Sequence, residues 1–201
     1  MRSTKSLTFL MVLFVVAACT RPNVTNLRLQ WLDANKSPTA STEVAAAFAA
    51  TPFALLVRDL RRDPHAVGLV EDSGHVVRTS DNVAQFVSAH IGDYMERAGA
   101  RLREQPVSNV DVEILELNCV EGGSFQARTQ LRIVVRRGSP DGWQKIYRGS
   151  STRWGRTHNP ENYNESLSNA LEEATLDLLQ DPAFAEALTA PAPPAAAPEG
   201  A

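Results

Sequence analysis

The chain has 201 residues, 43% hydrophobic and 21% charged, the composition of an ordinary globular protein of one or two domains. A formal net charge of −3 argues against a nucleic-acid partner, whose phosphates require a basic surface. Two cysteines, Cys19 and Cys119, do not make the disulfide framework that supports many small secreted folds.

The first residues carry a targeting pattern. Arg2 and Lys5 form a positively charged start, Leu7–Val16 is almost unbroken apolar sequence, and Val16-Ala17-Ala18-Cys19 closes it with small residues. The apolar run falls short of the roughly 20 residues that a permanent membrane-spanning helix requires, so residues 1–18 are read as a cleaved export signal. Small residues ending on a cysteine resemble the lipobox of bacterial lipoproteins. That resemblance implies cleavage between Ala18 and Cys19 and acylation of Cys19 as the new N-terminus. A multiply acylated cysteine anchors stably, at about 0.8 kcal/mol per buried methylene, where one chain binds only marginally. It also implies a destination: Thr20 stands where an Asp would favour inner-membrane retention, so the expected site is the outer membrane, with the domain facing the periplasm. Cleavage removes Arg2 and Lys5 and no carboxylate, leaving 18 of the 20 basic residues against 23 acidic ones, a net charge of −5. Acylation of Cys19 leaves Cys119 unpaired. Cys119 shares a parity with Leu115 and Leu117 and is read as a small buried hydrophobe rather than a reactive thiol.

Residues 19–52 are read as the lipidated N-terminus and a tether, because Ala, Thr, Ser, Asn and Pro dominate them. Leu27, Leu29 and Trp31 nevertheless alternate as a short strand would. A single globular domain then spans 53–188, and an Ala/Pro-rich tail, read as disordered, occupies 189–201.

Within the domain, Phe53–Val57 reads as a buried strand that exits into the charged Arg58–Asp63 and stops at Pro64. Val67–Glu71 and Gly74–Arg78 flank an Asp72-Ser73-Gly74 turn, the pattern of a minor hairpin. Thr79-Ser80-Asp81 offers N-caps for a helix. In it Val83, Phe86, Val87, Ile91, Tyr94 and Ala98 recur at helical spacing until Gly99 closes it. His90 lies on this stripe with no second ligand nearby in sequence, so it is read as a satisfied boundary histidine.

The stretch that organises the chain is Ser124–Arg137, together with the run Val110–Val120 ahead of it. Phe125, Ala127, Thr129, Leu131, Ile133 and Val135 share one parity, while Gln126, Arg128, Gln130, Arg132 and Arg136 share the other, as in a half-buried strand. Gly122-Gly123 permits a tight reversal, so the two runs form a long antiparallel hairpin. In the first run the apolar parity switches from Val110, Val112 and Ile114 to Leu115, Leu117 and Cys119, which requires a bulge near Ile114-Leu115. Gly138–Gly142 is a turn, and Trp143–Trp154 a third long strand.

Asn159-Pro160 starts the last helix, with Pro where its missing donor costs nothing. Leu167, Ala170, Leu171, Ala174 and Leu178 form its apolar stripe. Glu161, Glu165, Glu172, Glu173 and Asp177 are spaced as a solvated face. Asp181-Pro182 ends it, with one further turn around Phe184 and Leu188. The order predicts an α+β fold: a mainly antiparallel sheet, made of N-terminal strands plus a three-strand meander, with two amphipathic helices on one face.

Several of these features together resemble the YajG family of bacterial envelope lipoproteins, over Phe53 to Phe184. They are the Cys19 start, the Arg58-Asp59-Leu60-Arg61 strand exit, the Met95–Gly99 helix end, the Val112–Leu115 strand, Tyr147-Arg148 and the Leu171–Asp181 helix. The resemblance brings no catalytic residues with it. The order of elements is also similar, more distantly, to lipoproteins that activate penicillin-binding proteins and to the periplasmic N-terminal domain of TolB. Those are protein-binding modules, and fold likeness alone does not transfer function.

His65, His75, His90 and His158 show no metal-ligand spacing, and neither cysteine adds a ligand. There is no nucleophile elbow or P-loop, and Gly122-Gly123 runs into a strand rather than a helix. No metal is therefore expected, and no cofactor beyond the covalent lipid on Cys19. The remaining candidate surface is the polar parity of the central hairpin, where Arg128, Arg132 and Arg136 recur every fourth residue. They either pair across strands with Asp111 and Glu113, or form a basic strip for an acidic envelope protein or an anionic cell-wall glycan. Arg58, Arg61 and Arg62 are candidates to extend that strip. Two function classes follow. One is a non-enzymatic outer-membrane lipoprotein, held to the membrane by lipid, that serves as a binding or accessory module for another envelope protein or the cell wall. The other is an envelope enzyme with an unrecognised site. The first is favoured because no residue set converges.

Overall fold

The computed structural model describes residues 24–32, 37–103, 108–137, 142–155 and 157–191. The expected cleavage and acylation positions, Ala18 and Cys19, lie outside them, as does most of the expected tail. The elements are α1 (Thr42–Ala50), β1 (Phe53–Asp59), β2 (Ala66–Val70), β3 (His75–Arg78), α2 (Val83–Arg97), β4 (Ser108–Glu121), β5 (Phe125–Arg136), β6 (Trp143–Arg153), α3 (Pro160–Leu179) and α4 (Pro182–Thr189). The fold is α+β, built on a six-stranded sheet in the order β3-β2-β4-β5-β6, with β1 also paired to β4.

β4, β5 and β6 form the antiparallel meander that the alternating sequence predicts. The β4–β5 register shifts between Ile114 and Glu116, where the apolar parity changes. The extra residue lets Ile114 and Leu117, 0% and 1% exposed, face the same way although an odd number of positions separates them. That face also carries Val110, Val112 and Cys119, with Phe125, Ala127, Leu131 and Ile133 from β5, all buried. Upon it lies α3, with Leu167, Ala170, Leu171, Ala174 and Leu178 turned inward. Asn159 caps α3 by accepting from Glu161 N at 3.1 Å. Gly149 of β6 makes the helix approach possible: a Cβ there would overlap the backbone of α3 at Ala170 and Ala174.

β1 and β2 join the sheet in parallel and share one edge of β4, while β3 pairs antiparallel with β2. β1 pairs with Ser108–Ile114, while β2 pairs with Cys119–Glu121. The interval between them, beside the bulge, is filled by a side chain. Arg61, 7% exposed in its side chain, donates to Leu117 O at 3.0 Å, Ala66 O at 2.7 Å and Pro64 O at 2.6 Å, and Asp59 holds it at 2.8 Å. A guanidinium has enough donors in one plane to satisfy backbone carbonyls that lack a neighbouring strand. Arg61 is thus a structural staple and does not extend a surface strip.

Two expectations require correction. The described parts of the stretch read as a tether pack onto the domain: Leu27 and Phe48 are 0% exposed. α1 buries Val44, Ala47 and Phe48, with Phe48 edge-on to Phe184 of α4 at 6.2 Å. Small residues dominate the stretch, but its few large apolar ones are spaced to bury together. The N-cap of α2 is Asn82, which accepts from Gln85 N at 3.0 Å. Asp81, expected among the caps, instead accepts from Leu29 N at 2.7 Å.

Candidate functional site

The sheet face away from α2 and α3 carries the arginine strip. Arg132 contacts Glu113 at 2.5 Å, directly across the β4–β5 ladder, and Arg136 pairs with Asp111. Both carboxylates are nearly inaccessible, at 2% for Asp111 and 8% for Glu113, although they lie on the face without helices. Leu56 and Val134 flank Asp111 in the two neighbouring strands and shield it. Arg128 lies opposite Asn118 and Ser150, is exposed, and has no ion pair among the described residues. Two of the three strip residues are therefore held by cross-strand carboxylates, and one projects freely.

The same face shows large apolar side chains that strand-pattern reasoning passed over. Leu56 is 46% exposed, Val76 38% and Ile146 37%, and Leu60, just past β1, is 49% exposed. They stand among the exposed Arg58, Arg128 and Arg148. In Phe53–Val57 every residue is apolar, so parity did not reveal that Leu56 points away from the core. For Ile146 the signal was present: it alternates with the buried Tyr147 and Gly149.

On the helix side, three carboxylates are engaged by tyrosines. Glu121, 2% exposed, accepts from Tyr163 Oη at 2.6 Å and from His158 N at 2.7 Å. His158 takes a left-handed φ of 54°, which a histidine tolerates in turns. Glu172, 1% exposed, accepts from Tyr94 Oη at 3.0 Å and links α3 to α2. It does not belong to the solvated face expected for it, because this part of α3 turns toward Tyr94. Asp181 accepts from Tyr147 Oη and, at 2.8 Å, from Lys145 Nζ. Its burial works to raise the pKa, but the hydrogen bonds from Lys145 and Tyr147 outweigh it and hold the carboxyl below the ordinary value. Burial, reinforced by the neighbouring carboxylates, pushes the Tyr147 and Tyr163 hydroxyls well up, so they stay protonated donors. Burial pushes the Cys119 thiol up to about 12, away from thiolate chemistry. Tyr163–Glu121 and Tyr147–Asp181 tie strands to α3 and to the start of α4, and Tyr94–Glu172 ties α2 to α3.

His90 is half-buried and stacks on Trp31 at 4.1 Å, with Phe86 edge-on at 4.7 Å. Burial brings its pKa down to about 4, against an opposing pull from Asp93. Among the described residues no group of three or more His, Cys, Asp or Glu is placed to hold a metal ion. No described helix is long and apolar enough to cross a membrane.

The profile of a family described as uncharacterized lipoprotein matches residues 38–189, from just before α1 to the end of α4. No curated protein matches the chain. Among solved structures, a Xanthomonas campestris protein aligns at 10% identity over 79% of this chain and 93% of its own, with a TM-score of 0.49. A candidate lipoprotein of Caulobacter crescentus aligns at 10% identity over 68% and 92%, with a TM-score of 0.35. The PelC dodecamer of Paraburkholderia phytofirmans aligns at 14% identity over 62% and 86%, with a TM-score of 0.33. At these scores the likenesses transfer no function.

Proposed function

Because the chain belongs to the YajG family of uncharacterised lipoproteins, we propose that it is a lipid-anchored accessory module of the outer membrane. Cys19 carries the lipid, the domain faces the periplasm, and its work is to bind another envelope protein rather than to catalyse a reaction. The open sheet face is the docking surface. The observation that supports this most is the set of exposed Leu56, Val76 and Ile146 beside Arg58, Arg128 and Arg148 on one face. Apolar area with interspersed arginine is the composition of protein interfaces, and an acidic partner complements it. The paired Arg132 and Arg136 contribute a fixed positive border, because Glu113 and Asp111 hold their side chains in place.

Two measurements test the reading. Metabolic labelling with a radioactive fatty acid should mark the wild type and not Cys19→Ala, which should also remain an unprocessed precursor; label retained in the variant overturns the anchor. Crosslinking followed by purification from membranes should recover one stoichiometric protein from the wild type. Recovery should fail with Leu56→Arg combined with Ile146→Arg, with the melting temperature unchanged. Undiminished recovery in that variant overturns the docking face.

A further inference from the structure

Residues 24–27 run alongside β3. Asn26 pairs with Arg78 in the parallel sense, Leu27 N donates to Arg78 O at 2.7 Å, and Arg78 N donates to Thr25 O at 3.3 Å. Traced backwards from Asn26, the chain runs as β3 does from Arg78 to His75, toward the end of the sheet where β2 turns into β3. The register brings two further features to that end. Val70 pairs with Glu121, and Glu71 N donates to Glu121 O at 2.8 Å, so the Gly122–Ser124 turn stands beside the Glu71–Gly74 turn. Phe125 pairs with Glu121 on one side and Arg153 on the other, so β6 leaves the sheet there too. The residue that follows is Trp154, 77% exposed where the next most exposed large apolar side chain among the described residues reaches 49%.

We propose that this end of the sheet rests on the lipid surface, with the Trp154 indole seated among the headgroups. The proposal rests on Cys19 carrying lipid, as argued above. The five residue-to-residue steps from Cys19 to Val24 span at most about 18 Å when fully extended, so the end of the sheet that Val24 approaches stays close to the anchor. The leash cannot lengthen by itself, because the segment behind it is strapped down. Val24 and Leu27 are 8% and 0% exposed. Leu29 N donates to Asp81 at 2.7 Å, and Leu32 N donates to Ser168 Oγ at 3.2 Å. Asn164 grips the backbone on both sides, accepting from Gln30 N at 3.1 Å and donating to Arg28 O at 3.0 Å. An exposed indole at the leashed end fits a lipid interface, because tryptophan is favoured at headgroup depth, with its ring among apolar atoms and its N–H hydrogen-bonded.

The test uses the full-length acylated protein in vesicles of phosphatidylethanolamine and phosphatidylglycerol whose acyl chains are brominated near the glycerol. The expected result is a loss of tryptophan emission in the wild type that is absent from Trp154→Ser, where Trp31 and Trp143 remain as internal references. A Gly-Ser linker inserted after Thr20 should restore much of the lost emission without detaching the protein. Flotation of the vesicles is read alongside. Protein that floats with wild-type and Trp154→Ser emission equally affected overturns the lipid-facing end and leaves the anchor standing. The same holds if Trp154 stays fully open to aqueous iodide in these partner-free vesicles, which leaves this end of the sheet uncovered by lipid. Protein that does not float overturns the anchor and this proposal together.

Discussion

The two sides of the sheet bury carboxylates in different ways. On the helix side, Glu121, Glu172 and Asp181 each accept from a tyrosine hydroxyl, and Glu121 and Glu172 are 2% and 1% exposed. On the open side, Asp111 and Glu113 are equally hidden, but their partners Arg136 and Arg132 keep 35% and 37% of their side chains exposed. A tyrosine-capped carboxylate closes an interface inside the fold. An arginine-capped one leaves a guanidinium at the surface, fixed in position by its ion pair. Exposure of the partner separates Asp111 and Glu113 from Glu121 and Glu172, whose partners Tyr163 and Tyr94 are 0% and 1% exposed; Asp181, held by both Tyr147 and the half-exposed Lys145, has one partner of each kind.

The sharpest way to break that comparison is to change one residue on each side of the same strand. Gly149→Val drives a side chain into the α3 backbone at Ala170 and should cost on the order of 4–5 kcal/mol or abolish soluble protein. Arg148→Val, on the open parity, should stay within about 0.5 kcal/mol of the wild type. Similar urea midpoints for the two variants would show that the sides are not distinct. Next in size is Arg61→Ala, which strands the Asp59 carboxylate and the carbonyls of Ala66 and Leu117 at the split edge of β4. It should cost about 3–4 kcal/mol, and Arg61→Lys should recover little, because an ammonium cannot span the same acceptors.

Titration sharpens the comparison further. Above the ordinary histidine pKa of about 6.5, His90 is neutral in both folded and unfolded chains. Between about 6.5 and 4 the unfolded chain takes up a proton that the folded one refuses, so stability falls as the pH is lowered through this range. His90→Phe keeps a ring against Trp31 and should flatten this part of the stability profile; an unchanged slope contradicts the assignment. The smallest effects belong to the strip itself. Arg136→Gln leaves Asp111 buried without its partner and should cost about 1–3 kcal/mol, whereas Arg128→Gln should be nearly silent. Equal effects at the two positions would dissolve the distinction between held and free arginines.

What the sequence disclosed follows from what is local. The β5 alternation, the Ile114-Leu115 bulge and the Asn159-Pro160 helix start are written in neighbouring residues, and the structure contains all three. What it concealed depends on distant partners. Glu172 looks solvated until Tyr94, 78 positions away, is known to face it. Arg61 sits in a charged run that reads as surface until β1 and β2 are seen to divide one edge of β4. Val24–Leu32 and α1 have a linker's composition, and only the burial of Leu27, the stacking of Trp31 on His90 and the packing of Phe48 on Phe184 make them part of the domain. On the candidate surface, the arginine periodicity was legible, whereas the apolar residues among them needed the register of the sheet.

The proposed docking on the open sheet face, rather than on the helix-covered side, is open to position-specific crosslinking. A photo-activated crosslinking side chain placed singly at Leu56, Ile146 or Glu173, an exposed position on α3, tests it in intact cells. Leu56 and Ile146 should give one shared crosslinked protein band, and Glu173 none. The same band from Glu173, with none from the two sheet positions, would contradict it.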